Sequence, residues 1–308
     1  MARPARMNSI VEAVGNTPLI RLRNVARETP GVKVYLKLEY MNPGGSVKDR
    51  PALQMMLDAI QDGRLTKDKI LIDATSGNTG VAYSIFGAAL GYRVALVMPG
   101  NVSQARKDIT QAYGTELIFS DPMEQSDGAI RHCRELVADN PDKYFYSDQY
   151  RNPSNPRAHY LGTGQEILDQ VGDEITHFVT GLGTSGTMMG VTRRLHEHSR
   201  KIECIAAQPA EALHGLEGLK HMASSIVPEI YDEGLPDEHM TVATEEGWDM
   251  ADRLAIEEGL HLGHSAGANV AAALKIAERI QQGCVVTIAC DRGDRYFAPM
   301  RWEKHYDW

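Results

Sequence analysis

Short apolar runs rich in β-branched residues recur along most of the chain: VKVYLKL, KILID, YRVALVMP, TELIFS, THFVTG, KIECIAAQ and CVVTIAC. Stretches of helical character separate them, among them VAYSIFGAALG, SQARKDITQAYG, TGQEILDQVG, TMMGVTRRLHEHS and AGANVAAALKIAERIQQ. A strand that is apolar on both faces must be covered on both faces. Strands that alternate with helices pair in parallel through helical crossovers. The sequence therefore predicts an α/β fold of mostly parallel sheets with helices on both faces. At 308 residues the chain is long enough for two domains. The polar stretch SDQYRNPSNPRAHY, with Pro153 and Pro156, breaks the alternation and marks the expected domain junction.

Composition narrows the function. A hydrophobic share of 43% with 24% charged residues is that of a soluble globular chain. The net charge of −9 argues against nucleic acid as a partner, so an anionic ligand would need local donors. No run approaches the roughly eighteen apolar residues of a membrane helix. The start, MARPARMNSIVEAVGN, has no apolar stretch behind its arginines and is not expected to be a signal peptide. Cys133, Cys204, Cys284 and Cys290 show no metal-type spacing and are expected as reduced thiols in a cytoplasm, with Cys204 and Cys290 in the core.

Four strand-to-helix loops carry candidate chemistry. NPGGSVKDR places Lys48 at the start of the helix PALQMMLDAIQ. The positive end of a helix disfavours an ammonium, and a neutral amine is what a carbonyl-attacking lysine needs. A solvated surface lysine fits the same residue. Thr75-Ser76-Gly77-Asn78-Thr79-Gly80 offers hydroxyls, an amide and backbone N–H groups to a carboxylate or phosphate, or is simply a capped turn. Gly181-Leu182-Gly183-Thr184-Ser185-Gly186-Thr187 matches the G-x-G-x-x-G dinucleotide pattern. The acid that pattern requires about 20 residues on should end a second strand. Glu203 lies within its strand instead, and the hydroxyls suit a terminal phosphate better. In Gly263-His264-Ser265-Ala266-Gly267, Ser265 reads as a helix N-cap. One lysine, two hydroxyl-rich anion cradles and a lone serine together fit a phosphate-bearing aldehyde cofactor.

The stretches GNTPLIRL, NPGGSVKDRPA, ATSGNTG, DQYRNPSNP, THFVTGLGTSGTMMG and ACDRGDRY resemble, in order and spacing, the fold-type II pyridoxal-phosphate family. Within it they are most similar to cysteine synthases of the B type, the O-acetylserine or O-phosphoserine sulfhydrylases. The resemblance implies pyridoxal 5'-phosphate as cofactor and Lys48 as its Schiff-base lysine. It implies Asn78 at the cofactor's phenolic oxygen, Gly183, Thr184, Ser185, Gly186 and Thr187 as the phosphate cup, and Ser265 at the pyridine nitrogen. Thr75, Ser76, Thr79 and Gln149 would cradle the substrate carboxylate. It further implies a larger domain of residues 1–40 plus 152–308, a smaller one of 41–151, and a homodimer acting on small molecules without nucleic acid or membrane. The implied reaction removes the β-substituent of an activated serine, leaves an α-aminoacrylate and adds sulfide. There are departures. Ala266 stands where many relatives carry a second serine, and His264 is atypical. Lys220 stands where O-phosphoserine-using relatives carry an arginine. Gly-x-Ser-Ala-Gly also occurs in cystathionine β-synthases, so a bulkier nucleophile is the alternative. A dinucleotide oxidoreductase and a non-catalytic scaffold are the rivals from other classes. The aromatic tail with Trp302, Tyr306 and Trp308 has no assigned role.

Overall fold

The computed structural model describes residues 6–296; the aromatic tail lies outside them. In chain order the strands and α-helices are β1 (Leu19–Leu22), β2 (Val32–Leu38), α1 (Asp49–Gln61), β3 (Ile70–Ala74), α2 (Asn78–Leu90), β4 (Arg93–Pro99), α3 (Gln104–Gln111), β5 (Glu116–Ser120), α4 (Gln125–Asp139) and β6 (Tyr144–Tyr146). Then follow α5 (Ser154–Ala158), a π-helical segment (His159–Gly164), α6 (Gln165–Val171), β7 (His177–Gly181), α7 (Gly186–His198), β8 (Glu203–Pro209), β9 (Glu238–Val242), α8 (Thr244–Glu258), α9 (His264–Ile280) and β10 (Gly283–Ala289).

They form two sheets. One has six strands in the order β1-β2-β10-β7-β8-β9, and the other has four in the order β5-β4-β3-β6. Every pairing is parallel except β1 with β2. The α/β class and the parallel pairing agree with the sequence pattern.

Side chains that alternate along each strand explain why both faces are apolar. In β10, Val285 and Ala289 join a core with α9, while Cys284, Val286 and Ile288 join Met188, Val191 and Leu195 of α7 on the opposite face. In the smaller sheet, Leu71 and Leu96 pack with α1 and α2, whereas Ile72 and Val97 face Ala129 and Ile130 of α4. Parallel crossovers leave the carboxyl ends of strands from both sheets free to carry loops. Among the described residues no helix is long and apolar enough to cross a membrane.

Candidate active site

The loops after β3, β7 and β10, with the turn before α1, open on a cleft of about 1350 Å³. Thr75, Ser76, Thr79, Gln149 and Lys220 line it. Lys48, Asn78, Gly183 and Thr184 also line an inner recess of about 40 Å³, together with Ser185, Gly186, Thr187, Ser265 and Cys290. The fold thus brings Lys48, the Thr75–Thr79 loop, the Gly183–Thr187 loop and Ser265 to one place.

Lys48 occupies the N-cap position of α1 and is half-buried. Its backbone is fixed from several sides. Asn42 donates to the carbonyls of Glu39 (2.8 Å) and Ser46 (3.2 Å), closing the turn before the lysine. Asp49 accepts the Gly44 N–H. Val47 donates to the Cys290 carbonyl at 2.8 Å. The turn needs a left-handed residue, which Gly45 supplies at φ +78°.

At the loop between β7 and α7, Ser185 adopts φ 68°, an uncommon conformation for a non-glycine residue. Its Oγ is buried and has no hydrogen-bond partner among the described residues. A side chain at Gly183 would collide with the Gly218 carbonyl, so the loop backbone stays bare there. Asn155 holds the Thr184 hydroxyl at 3.1 Å, and buried His159 faces that of Thr187 at 3.4 Å. An orphaned buried hydroxyl and a bare loop at the positive end of the 13-residue α7 fit a phosphate monoester. Pyridoxal phosphate therefore fits the residues present.

Two local expectations change. Gly263, not Ser265, is the N-cap of α9; Ser265 is the second helical residue and is buried. Its hydroxyl is therefore not needed as a cap and stands in the recess wall. Cys204 is fully buried, as expected, but Cys290 is only half-buried, because it lies just past β10 where the strand opens into the recess. Burial pushes its thiol up to about 11, against the charge of Lys48.

In the loop after β3, Thr79 donates to Gln149 Oε1 at 2.8 Å, which leaves the NH₂ end of that amide as a donor. Below it lies Asp73, fully buried. Asp73 accepts Ala74 N–H (2.8 Å), Tyr83 O–H (3.0 Å) and Gln149 N–H (3.3 Å). Burial and the nearby Asp148 raise it to about 7, despite these donors. Lys220, in an irregular segment, is tied by its N–H to the Leu182 carbonyl at 2.7 Å and lies 5.0 Å above the Tyr150 ring. Burial lowers its pKa, and Asp127 opposes this.

The dinucleotide reading fails on geometry. Glu203 begins β8 beside His177, the first residue of β7. It thus lies at the opposite end of the sheet from the glycine loop. Sequence reasoning also missed that His196, Cys204 and Asp237 converge, with potential ligand atoms within 4.8 Å of one another. Asp237 is engaged by His196 (2.9 Å) and by the Cys204 N–H (2.8 Å), and Arg200 donates to the other ring nitrogen of His196. These hydrogen bonds engage all three residues with one another or with Arg200, and burial pushes the thiol up to about 12.

A lysine, a phosphate-type loop and a hydroxyl-lined loop at the carboxyl ends of parallel strands define a cofactor-dependent α/β enzyme. The sequence profile of the pyridoxal-phosphate-dependent enzymes matches residues 10–291, and the chain belongs to that family. It is similar to a cysteine synthase of Aquifex aeolicus, 48% identical over 300 residues that cover 96% of this chain and 91% of that one. It is 40% identical to cysteine synthase B of Escherichia coli, over 95% of each chain. The crystal structure of a cysteine synthase from Entamoeba histolytica superposes with a TM-score of 0.94 at 34% identity, covering 100% of this chain and 94% of that one.

Proposed function

We propose that the protein exchanges the β-substituent of an activated serine, O-acetylserine or O-phosphoserine, for sulfide and so forms L-cysteine. The observation that carries this is the convergence of Lys48, the Gly183–Thr187 loop and the Thr75–Thr79 loop on one cleft. The similarity to cysteine synthases supports the choice of reaction.

Pyridoxal phosphate, when bound, supplies an electron sink for negative charge at the substrate Cα. Gly183, Thr184, Ser185, Gly186 and Thr187 would hold its phosphate, and Lys48 would be the nucleophile for its aldehyde. Asn78 would donate to its ring oxygen. A free Lys48 amine would take the substrate's α-proton. Thr75, Ser76, Thr79 and Gln149 orient the substrate by its carboxylate. Ser265, a neutral hydroxyl in the recess wall, would face the pyridine nitrogen without holding a proton on it as an aspartate would. A neutral Ser265 at that position would favour loss of the β-substituent over reactions that need a protonated ring. Lys220 stabilises the departing group.

The same reading divides the chain into 1–40 plus 152–308 and 41–151, which the membership of the two sheets supports. It makes the protein a cytoplasmic homodimer, with four free thiols consistent with a reducing compartment. Sedimentation of the holoprotein tests the dimer.

The test of function uses cofactor-loaded protein. Wild type should form cysteine from sulfide with at least one of the two serine esters. Lys48→Ala should keep its circular dichroism and lose turnover by about 10³-fold or more. Borohydride should fix the cofactor to the peptide containing Lys48. An adduct on another lysine, or turnover by Lys48→Ala, sinks the assignment. Faster formation of cystathionine from homocysteine would replace sulfide by the bulkier nucleophile.

A further inference from the structure

The motif ACDRGDRY has so far carried only a resemblance. In the structure the segment after β10 touches three loops of the site in turn. The Cys290 carbonyl accepts Val47 N–H at 2.8 Å, and Asp291 forms a bridge with Ser46. The Asp291 carbonyl accepts Gly263 N–H at 3.2 Å, and Arg292 bridges to Leu262. The segment is thereby pinned by backbone to the Lys48 turn and to the start of α9. Its side chains reach the third loop. Asp291 Oδ2 accepts from Asn78 Nδ2 at 2.6 Å, and Arg295 Nη1 donates to Asn78 Oδ1. Arg295 Nη2 donates to the Gly44 carbonyl. A Cβ on Gly45 would lie 2.7 Å from that nitrogen, so the guanidinium packs on bare backbone of the lysine turn.

A guanidinium only donates and a carboxylate only accepts, so the two partners fix which end of the Asn78 amide is oxygen and which is nitrogen. A donor on the oxygen also polarises the amide and strengthens its N–H as a donor. Asn78 lines the recess beside Lys48 and Ser265. We infer that Arg295 is a positioning residue. It locks the Asn78 amide so that the NH₂ group, with one hydrogen on Asp291, keeps the other for the recess, and it ties the turn that carries Lys48 to the loop that carries Asn78. The inference rests on Asn78 as the partner of the cofactor's ring oxygen. Arg295 acts through Asn78 and is not assigned a contact with cofactor.

The experiment compares Arg295→Met, Arg295→Lys, Asn78→Ala and the double variant Asn78→Ala/Arg295→Met as holoproteins. The readouts are the visible absorption band of the bound cofactor, its dissociation constant and the melting temperature. Arg295→Met should shift the band in the same direction as Asn78→Ala and weaken cofactor binding about five- to tenfold. In the Asn78→Ala background it should add less than about twofold, because the route of its effect is gone. Arg295→Lys keeps a charge without the fork and should fall between wild type and Arg295→Met, which covers the case in which Arg295→Met does not fold. If Asn78→Ala changes band and affinity while both Arg295 variants leave them unaltered, or if the two effects simply add, the inference is overturned and the Asn78 reading stands. If Asn78→Ala changes neither, that reading fails and the inference fails with it.

Discussion

Asp73 is a carboxylic acid with no access to water, placed under the two backbone N–H groups that flank the proposed carboxylate cradle. Its raised pKa has a consequence for stability. In the unfolded chain it ionises near the ordinary aspartate value, whereas burial lets the folded protein keep the proton until about pH 7. Between these values the folded state binds more protons, so unfolding becomes easier as pH rises. The Asp73 contribution should fall by roughly 3–5 kcal/mol from pH 4 to pH 8. Asp49, also raised to about 7, titrates in the same window but is common to wild type and Asp73→Asn. The stability of Asp73→Asn relative to wild type should therefore improve with pH, as read from denaturant midpoints at pH 5 and pH 8. A gap that stays constant refutes the buried-acid picture. Lys220 tests the leaving group. A half-buried cation favours a departing phosphate, with nearly two charges, over acetate. Lys220→Ala should lose roughly 1–3 kcal/mol on O-phosphoserine and much less on O-acetylserine, measured as kcat/KM for each. Equal losses would remove Lys220 from substrate choice.

Among the elements, β2, α1 and α6 are joined by a buried ionic cluster that no strand or helix pattern reveals. Glu166 of α6 binds Arg50 through both carboxylate oxygens at 2.7 Å and Lys37 at 2.8 Å, while Arg50 also grips Glu39 at 2.6 Å. Burial alone would raise Glu166, but the Arg50 hydrogen bonds and the charges of Arg50 and Lys37 hold it well below the usual carboxylate range. Glu166→Gln leaves a net positive charge among side chains that are nearly all inaccessible and should cost about 3–5 kcal/mol. Because the folded pKa is depressed, that stabilisation is present above the ordinary glutamate pKa and fades as pH falls below it. Thermal melts should show the gap between wild type and Glu166→Gln closing below about pH 4. Sequence reading found the strands that carry a continuous apolar run, most of them buried on both faces, such as β4 and β10, and also the half-exposed edge strand β5 with its Leu-Ile-Phe run. It missed β1, β6 and β9, which are short edge strands, half exposed or only three residues long, and lack such a run. The site loops were legible because Gly, Ser and Thr cluster at strand-to-helix turns. Asp73 and Arg295 were not, since their roles depend on contacts made far along the chain.

Across the whole molecule the cleft has two walls, and side chains tie them at several points, Asn78 with Asp291 deep inside and Arg106 with Glu217 further out. Arg106 of α3, on the side of the four-stranded sheet, pairs with Glu217, which lies in the loop after β8 of the six-stranded sheet. The partners are 111 residues apart, so nothing in the sequence pairs them. Both line the cleft, and Glu217 sits three positions before Lys220. The pair is 31% and 52% exposed, so its coupling should be only about 0.2–1 kcal/mol. That corresponds to a factor of about 1.4 to 5 in any equilibrium that makes or breaks the pair, without disturbing the chemistry inside. Arg106→Ala should raise KM for the activated serine by about that factor and leave kcat unchanged, or slightly higher if product release limits turnover. Salt screens an exposed pair, so wild-type KM should rise with ionic strength toward that of Arg106→Ala, whose own KM should respond little. Glu217→Ala made in the Arg106→Ala background should then add almost nothing. Additive effects in the double variant, or the same salt dependence with and without Arg106, would mean that the two walls are held together by other contacts.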